Sequence, residues 1–172
     1  MKKFLFGFLV ALLLIAAFVL VYFGMGFAPA AATAQPIPFE KLLAGMALHS
    51  RIAREMPSQA PIQPDEANMM AGARIYRVQC AVCHGLPGQP EPAMAKGMFP
   101  HVPQLFRGHG VTDDPAGETY WKVANGIRLT GMPAFNAVLN DSQMWQVSLL
   151  AANADKASPA VKATLSEPLT LK

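Results

Sequence analysis

Apolar and polar positions divide this chain into segments of different periodicity. From Phe4 to Phe27 no residue is charged, and the apolar side chains run without a polar face. As a helix this run spans about 36 Å, enough to cross a bilayer core of about 30 Å with some tilt. Lys2 and Lys3 precede it, which predicts a cytoplasmic N-terminus with the rest of the chain outside. Ala28 to Pro38 is rich in Ala and Pro and reads as an extended spacer. From Phe39 to Met56 the period changes to that of a helix. Phe39, Leu42, Leu43, Met46 and Ala47 form an apolar stripe opposite Lys41 and Arg51, and Pro57 stops it. Such a helix packs on the following domain or lies near a membrane surface. Pro57 to Pro64, with three prolines, reads as a second flexible spacer.

A helix is predicted from Asp65 and Glu66 to about Cys80, with acidic residues at its positive end. Gly72, Ile75, Tyr76 and Gln79 share one of its faces. Residues 85 to 117 hold many Gly and Pro and read mostly as loop. Thr112, Asp113 and Asp114 offer caps for a helix from about Pro115 to Ala124, which Asn125-Gly126 ends. Asp141 or Ser142 caps a last helix to about Asn153, with Met144, Trp145, Val147, Ser148 and Leu149 available for packing. Asp155 to Lys172 has weak periodicity and reads as a surface tail. The expected organisation is an anchor or signal over 1–27, a linker with a short amphipathic helix over 28–64, a domain over 65–154 and a tail over 155–172.

The 172 residues suit one modest domain with appendages. The net charge is +3; Lys2 and Lys3 supply two of these charges, so +1 remains for the rest. That balance carries no nucleic-acid footprint. A cleavable signal peptide competes with the anchor, because Ala32-Thr33-Ala34 before Gln35 is an acceptable cleavage site. The apolar run is longer than a usual signal core, which favours a retained anchor.

The chemistry is concentrated in Cys80-Ala81-Val82-Cys83-His84, a CxxCH pentad. Two thiols at this spacing reach the two vinyl groups of one porphyrin as thioethers, and the adjacent His84 points its imidazole at the iron. A dithiol redox pair would want a βαβ setting, which is not visible. A structural zinc site would want two more Cys or His at short spacing, whereas His101 and His109 are not so paired and no third cysteine exists. The expected cofactor is one covalently bound haem c. Its attachment is completed outside the cytoplasmic membrane in bacteria, so the domain should be extracytoplasmic.

Among ten methionines, Met132 stands in a turn framed by Gly131 and Pro133. A thioether is a soft ligand that favours ferrous iron and raises the reduction potential. Met132 is the expected sixth ligand, with Met98, His101 and His109 as rivals. His49 reads as a solvated or hydrogen-bonded side chain. Arg128 suits a haem propionate, as guanidinium pairs with carboxylate, or stands solvated at the surface. Trp121 reads as pocket core with an N–H available to a propionate.

Taken in order, these features resemble a class I c-type cytochrome over about residues 65 to 154. Ala71-Gly72-Ala73-Arg74-Ile75-Tyr76 resembles the family's first helix, and CxxCH follows. Pro103 and Leu105 resemble its P-x-L loop, whose proline carbonyl accepts the proximal histidine's Nδ1–H. Asn125-Gly126 and Met132-Pro133-Ala134-Phe135 resemble the distal segment, with Met132 as ligand. Trp145 and Leu149 resemble contacts of the last helix. Within the class the chain is similar to monohaem bacterial cytochromes and to haem domains of haem–copper oxidase subunits. It departs in its anchor and linker and in the long stretch between His84 and Pro103. The resemblance implies an all-α fold of three to four helices around a covalent haem, behind an N-terminal transmembrane helix.

The function expected is one-electron transfer, not catalysis, with redox protein partners such as a respiratory complex, oxidase or dehydrogenase. The protein would be a monomer or a subunit, held at the bacterial cytoplasmic membrane. A fixed haem subunit of a larger complex is the first alternative. A peroxidase-like haem enzyme is the second; it would need an open sixth position, and no paired acid–base residues point to one.

Overall fold

A computed structural model describes residues 1–167. Every regular element among them is helical: α1 Lys2–Gly24, α2 Glu40–Glu55, α3 Glu66–Gln79, α4 Ala81–His84, α5 Ala93–Lys96, α6 Ala116–Asn125, α7 Asp141–Ala152, a 3-10 turn Ala154–Lys156 and α8 Pro159–Ser166. The chain divides into two units, Met1–Leu43 and Ala44–Lys172. In the first unit, α1 is long and apolar enough to cross a membrane.

In the second unit the core is built on α3, α6 and α7. Asp65 caps α3 through its side chain, which accepts from the Asn68 N–H at 2.9 Å. Asn140, and not Asp141 or Ser142, caps α7. Its side chain accepts from the Gln143 N–H, and the Gln143 side chain accepts from the Asn140 N–H. This reciprocal capping box satisfies two otherwise orphaned donors. α3 presents Met69, Gly72, Ala73 and Tyr76 to the core, and α7 presents Trp145, Ser148 and Leu149. Leu150 and Ala73 are completely buried.

Gly72 permits the crossing of these two helices. A Cβ there would collide with the Gln146 carbonyl and lie 3.1 Å from the Leu150 Cβ. Backbone is therefore in contact with backbone, which only glycine allows.

Two expectations are corrected here. Residues 155–172 were expected to form a surface tail, but α8 is a helix. Ser158 caps it by accepting from the Val161 N–H at 3.2 Å. Val161 and Leu165 are 0% and 1% exposed within the core that α3 shares. Two apolar residues four apart suffice once α3 offers a surface to cover, so weak periodicity hid this helix. Residues 168–172 of that expected tail lie outside the described residues. Residues 57–64 were expected to be a flexible spacer. Their ends are fastened instead: a Cβ on Gly117 would strike the Pro57 carbonyl, and the Gln63 carbonyl accepts from Asn68 Nδ2 at 3.0 Å.

The amphipathic helix α2 forms as expected, but with another face inward. Leu42, Leu43 and Met46 remain exposed, while Ile52 is 2% exposed.

The glycine crossing is testable. Gly72→Ala should destabilise the protein by about 1–3 kcal/mol, as overpacking does. Denaturant unfolding would show this as a lower midpoint with an unchanged slope; an unchanged midpoint would contradict it.

Candidate haem site

α3 runs almost directly into α4, and the joint between them carries Cys80. The His84 and Cys83 N–H groups both donate to the Cys80 carbonyl, at 2.9 and 3.1 Å. This single turn places Cys80, Cys83 and His84 together. Gly85 ends it with φ +72°, a conformation that L side chains rarely adopt. The buried Tyr76 hydroxyl donates to the Gly85 carbonyl at 2.8 Å, tying the turn back to α3.

His84 Nδ1 lies 2.8 Å from the Pro103 carbonyl oxygen. A carbonyl oxygen only accepts, so the proton is on Nδ1 and the lone pair is on Nε2. Burial pulls the His84 pKa below its ordinary 6.5, with the Pro103 hydrogen bond opposing. The imidazole is thus held neutral, in one tautomer and with a free donor nitrogen, the state a metal-ligating histidine needs. The loop carrying Pro103 also carries Leu105, which is half-buried at the edge of the core.

The cysteine environment separates the rival readings of the pentad. Burial, followed by neighbouring Cys83, pushes the Cys80 thiol up to about 12. A reactive dithiol wants a depressed thiol pKa, so this is the wrong direction for that chemistry. Among the described residues, no group of three or more His, Cys, Asp or Glu gathers as a metal cluster. His101 pairs with Glu91 at 3.0 Å on the surface, and His109 and His49 are exposed.

The distal turn follows α6. Gly126 takes φ +65° and packs its Cα against the 132–134 backbone; a Cβ there would lie 2.6 Å from the Ala134 nitrogen. The Ile127 N–H donates to the Met132 carbonyl at 3.1 Å, and the Met132 N–H donates to Thr130 Oγ1 at 3.1 Å. The Phe135 N–H donates to the Val123 carbonyl at 3.0 Å, which fastens the far end. Met132 therefore sits on a braced backbone, half-buried beside the core with Phe135. Met98, the other methionine of this region, packs its methyl on Gly131.

Trp121 departs from expectation. Its indole N–H donates to Glu55 Oε2 at 3.1 Å, so it is engaged by α2 and not left for a propionate. Arg51 Nε lies 2.6 Å from Glu55 Oε1 and completes the bracket. Glu55 was not singled out in the sequence, because nothing local marks a carboxylate that pairs 66 residues away. Arg128 is exposed. Tyr120 stacks on Trp145 with ring centroids 4.2 Å apart and bonds Asp141 through its hydroxyl.

Two thiols on one turn, a neutral imidazole with its Nε2 free, a braced thioether and half-buried apolar side chains at the core edge fit an apolar iron macrocycle. Fold and site together define a class I c-type cytochrome domain. Residues 67–149 match the family described as cytochrome C oxidase, cbb3-type, subunit III, a cytochrome c family that implies haem c. No curated protein matches the chain. The structure is similar to a chain of the Kuenenia stuttgartiensis reducing HAO-like protein complex Kustc0457/Kustc0458. That similarity has 22% identity and a TM-score of 0.48, covering 56% of this chain and 48% of that one. The matching part therefore spans about half of that chain's length.

The bracket on α6 predicts a pH effect. Arg51, with help from the Trp121 N–H, holds the Glu55 pKa below its usual 4.5. A depressed carboxylate pKa stabilises the fold above the unfolded value, and that stabilisation is lost as pH falls through the folded value. Glu55→Gln should therefore be less stable than the parent near neutrality, and the gap should close as pH falls below 4.5. A gap that does not vary with pH would contradict this.

Proposed function

We propose that this protein transfers single electrons through one covalently bound haem c. The observation that carries the reading is the 2.8 Å contact of His84 Nδ1 with the Pro103 carbonyl, directly after the two-cysteine turn. Cys80 and Cys83 would hold the porphyrin as thioethers, and His84 Nε2 and Met132 Sδ would be the protein's two ligands to its iron. When bound, the haem supplies an iron that alternates between ferric and ferrous states. Leu105 contributes apolar cover and Pro103 orients the imidazole. Arg128 is available to a propionate, and Trp121 supports the pocket from α6 while holding α2.

With His84 and Met132 both given to the iron, no position would be left for a substrate, and the protein would act as a carrier and not an enzyme. The braced turns around His84 and Met132 keep those donors in place between redox states. Electrons enter and leave by transient docking with redox protein partners of a respiratory chain.

α1 is read as a single-pass anchor in the bacterial cytoplasmic membrane, with the haem domain on the periplasmic side. The linker in this reading is Ala28 to Pro38. It lets the domain reach donor and acceptor within a confined volume, which raises their effective concentration. The match to an oxidase subunit family favours a second reading, in which the protein is a fixed haem subunit of a larger membrane complex. A stoichiometric assembly after mild detergent extraction would support that reading; a free monomer would support the carrier.

Met132→Ala tests the distal assignment. The parent ferric protein should show a sulfur-to-iron charge-transfer band, and the variant should lose it and have a lower reduction potential. A variant that keeps both would overturn Met132 as ligand.

A further inference from the structure

Gln104 stands between Pro103 and Leu105 in its loop, and its side chain does something neither of them can. Its Nε2 donates to the Cys83 carbonyl at 3.2 Å and to the Val102 carbonyl at 3.3 Å. Cys83 immediately precedes His84, and Val102 immediately precedes Pro103. One amide therefore bridges the residue before the hydrogen-bond donor and the residue before its acceptor.

We propose that Gln104 is a positioning residue for the proximal imidazole, an amide staple that sets the distance between His84 Nδ1 and the Pro103 carbonyl. The proposal rests on the reading of His84 as an axial ligand.

Three observations support a built device over simple filling of space. Proline has no N–H, so the main chain at Pro103 cannot donate a bond that would anchor this loop. The two N–H groups of the carboxamide face two carbonyls, a match of donors to acceptors that an apolar side chain of equal size would not make. On its other side, the Gln104 Oε1 lies against Gly85, where any added Cβ would collide with it. The Tyr76 hydroxyl grips the same glycine through its carbonyl at 2.8 Å. The turn at 83–85 is thus held from both sides, by Tyr76 of α3 and by Gln104 of the loop.

The consequence is electronic as well as structural. A firm Nδ1–H···O=C bond fixes the ring orientation and raises the basicity of the ligating nitrogen. A more basic imidazole stabilises ferric iron more than ferrous. Removing the staple lets the Pro103 carbonyl drift, weakens that bond and moves the reduction potential upward.

The test uses full-length haem-loaded protein. Gln104→Met fills nearly the same space and donates nothing. NMR of the ferrous protein would follow exchange of the His84 Nδ1 proton with solvent, beside a redox titration. The expected result is exchange up to about tenfold faster than in the parent, the scale of one lost hydrogen bond, and an upward shift of potential. Parent-like exchange and potential in Gln104→Met would overturn the staple and leave Gln104 as packing. Gln104→Asn, whose shorter stem cannot span both carbonyls, carries the same test should the methionine variant not mature. A parent His84 proton without the ring-current shift of an axial ligand would instead overturn the ligand reading itself.

Discussion

One hydrogen bond organises the chemistry of this domain: the imidazole of His84 donating to the carbonyl of Pro103. An imidazole has two nitrogens and can present either. A histidine beside two cysteines is a useful metal donor only when one nitrogen is committed elsewhere. The Pro103 oxygen makes that commitment, because it can accept and nothing more. Burial then keeps the ring neutral. Geometry, tautomer and charge state all follow from this contact, and much of the surrounding structure serves to keep its two ends in register. α3 grips the turn through Tyr76, Gly85 ends it, and the loop returns to it through Gln104.

The helical scaffold explains why the contact persists. α3 and α7 cross so closely at Gly72 that backbone meets backbone, and α8 covers the same helix with Val161 and Leu165. The distal side is fastened independently, by Gly126 against the 132–134 backbone and by the Phe135 N–H on Val123. His84 and Met132, the donors proposed for the iron, therefore belong to separately braced turns, each attached to a different helix. For a proposed electron carrier this is the useful arrangement, since donors that do not move cost little when the charge on the iron changes.

Much of this was legible in the residues, and what was legible was local. The CxxCH spacing, the acidic helix start at Asp65 and the Asn125-Gly126 stop all act within one or two turns of chain, and α3, α6 and α7 fall within a residue or two of their expected bounds. The misread features depend on partners far along the sequence. α8 has two buried residues whose apolar pairing means nothing until α3 is beside it. Trp121 offered an indole N–H, and only the fold supplied Glu55 to receive it. In α2 the stripe of Leu42, Leu43 and Met46 was the stronger periodic signal. Yet Ile52 is the residue buried, because periodicity finds apolar faces without saying which of them another helix will cover. Gln104 was visible as a letter between Pro103 and Leu105, but its role needs the Cys83 carbonyl, which arrives from 21 residues away.

The central claim is that both thiols of this chain are bonded to a single porphyrin whose iron is bound by His84. The most direct measurement is the intact mass of the protein, unfolded in acid, after expression in cells competent for cytochrome maturation. The account predicts a polypeptide heavier by one haem, with the haem absorbance staying on the chain through denaturation and solvent extraction. A colourless chain of unmodified mass, or a pigment that extracts freely, would contradict it.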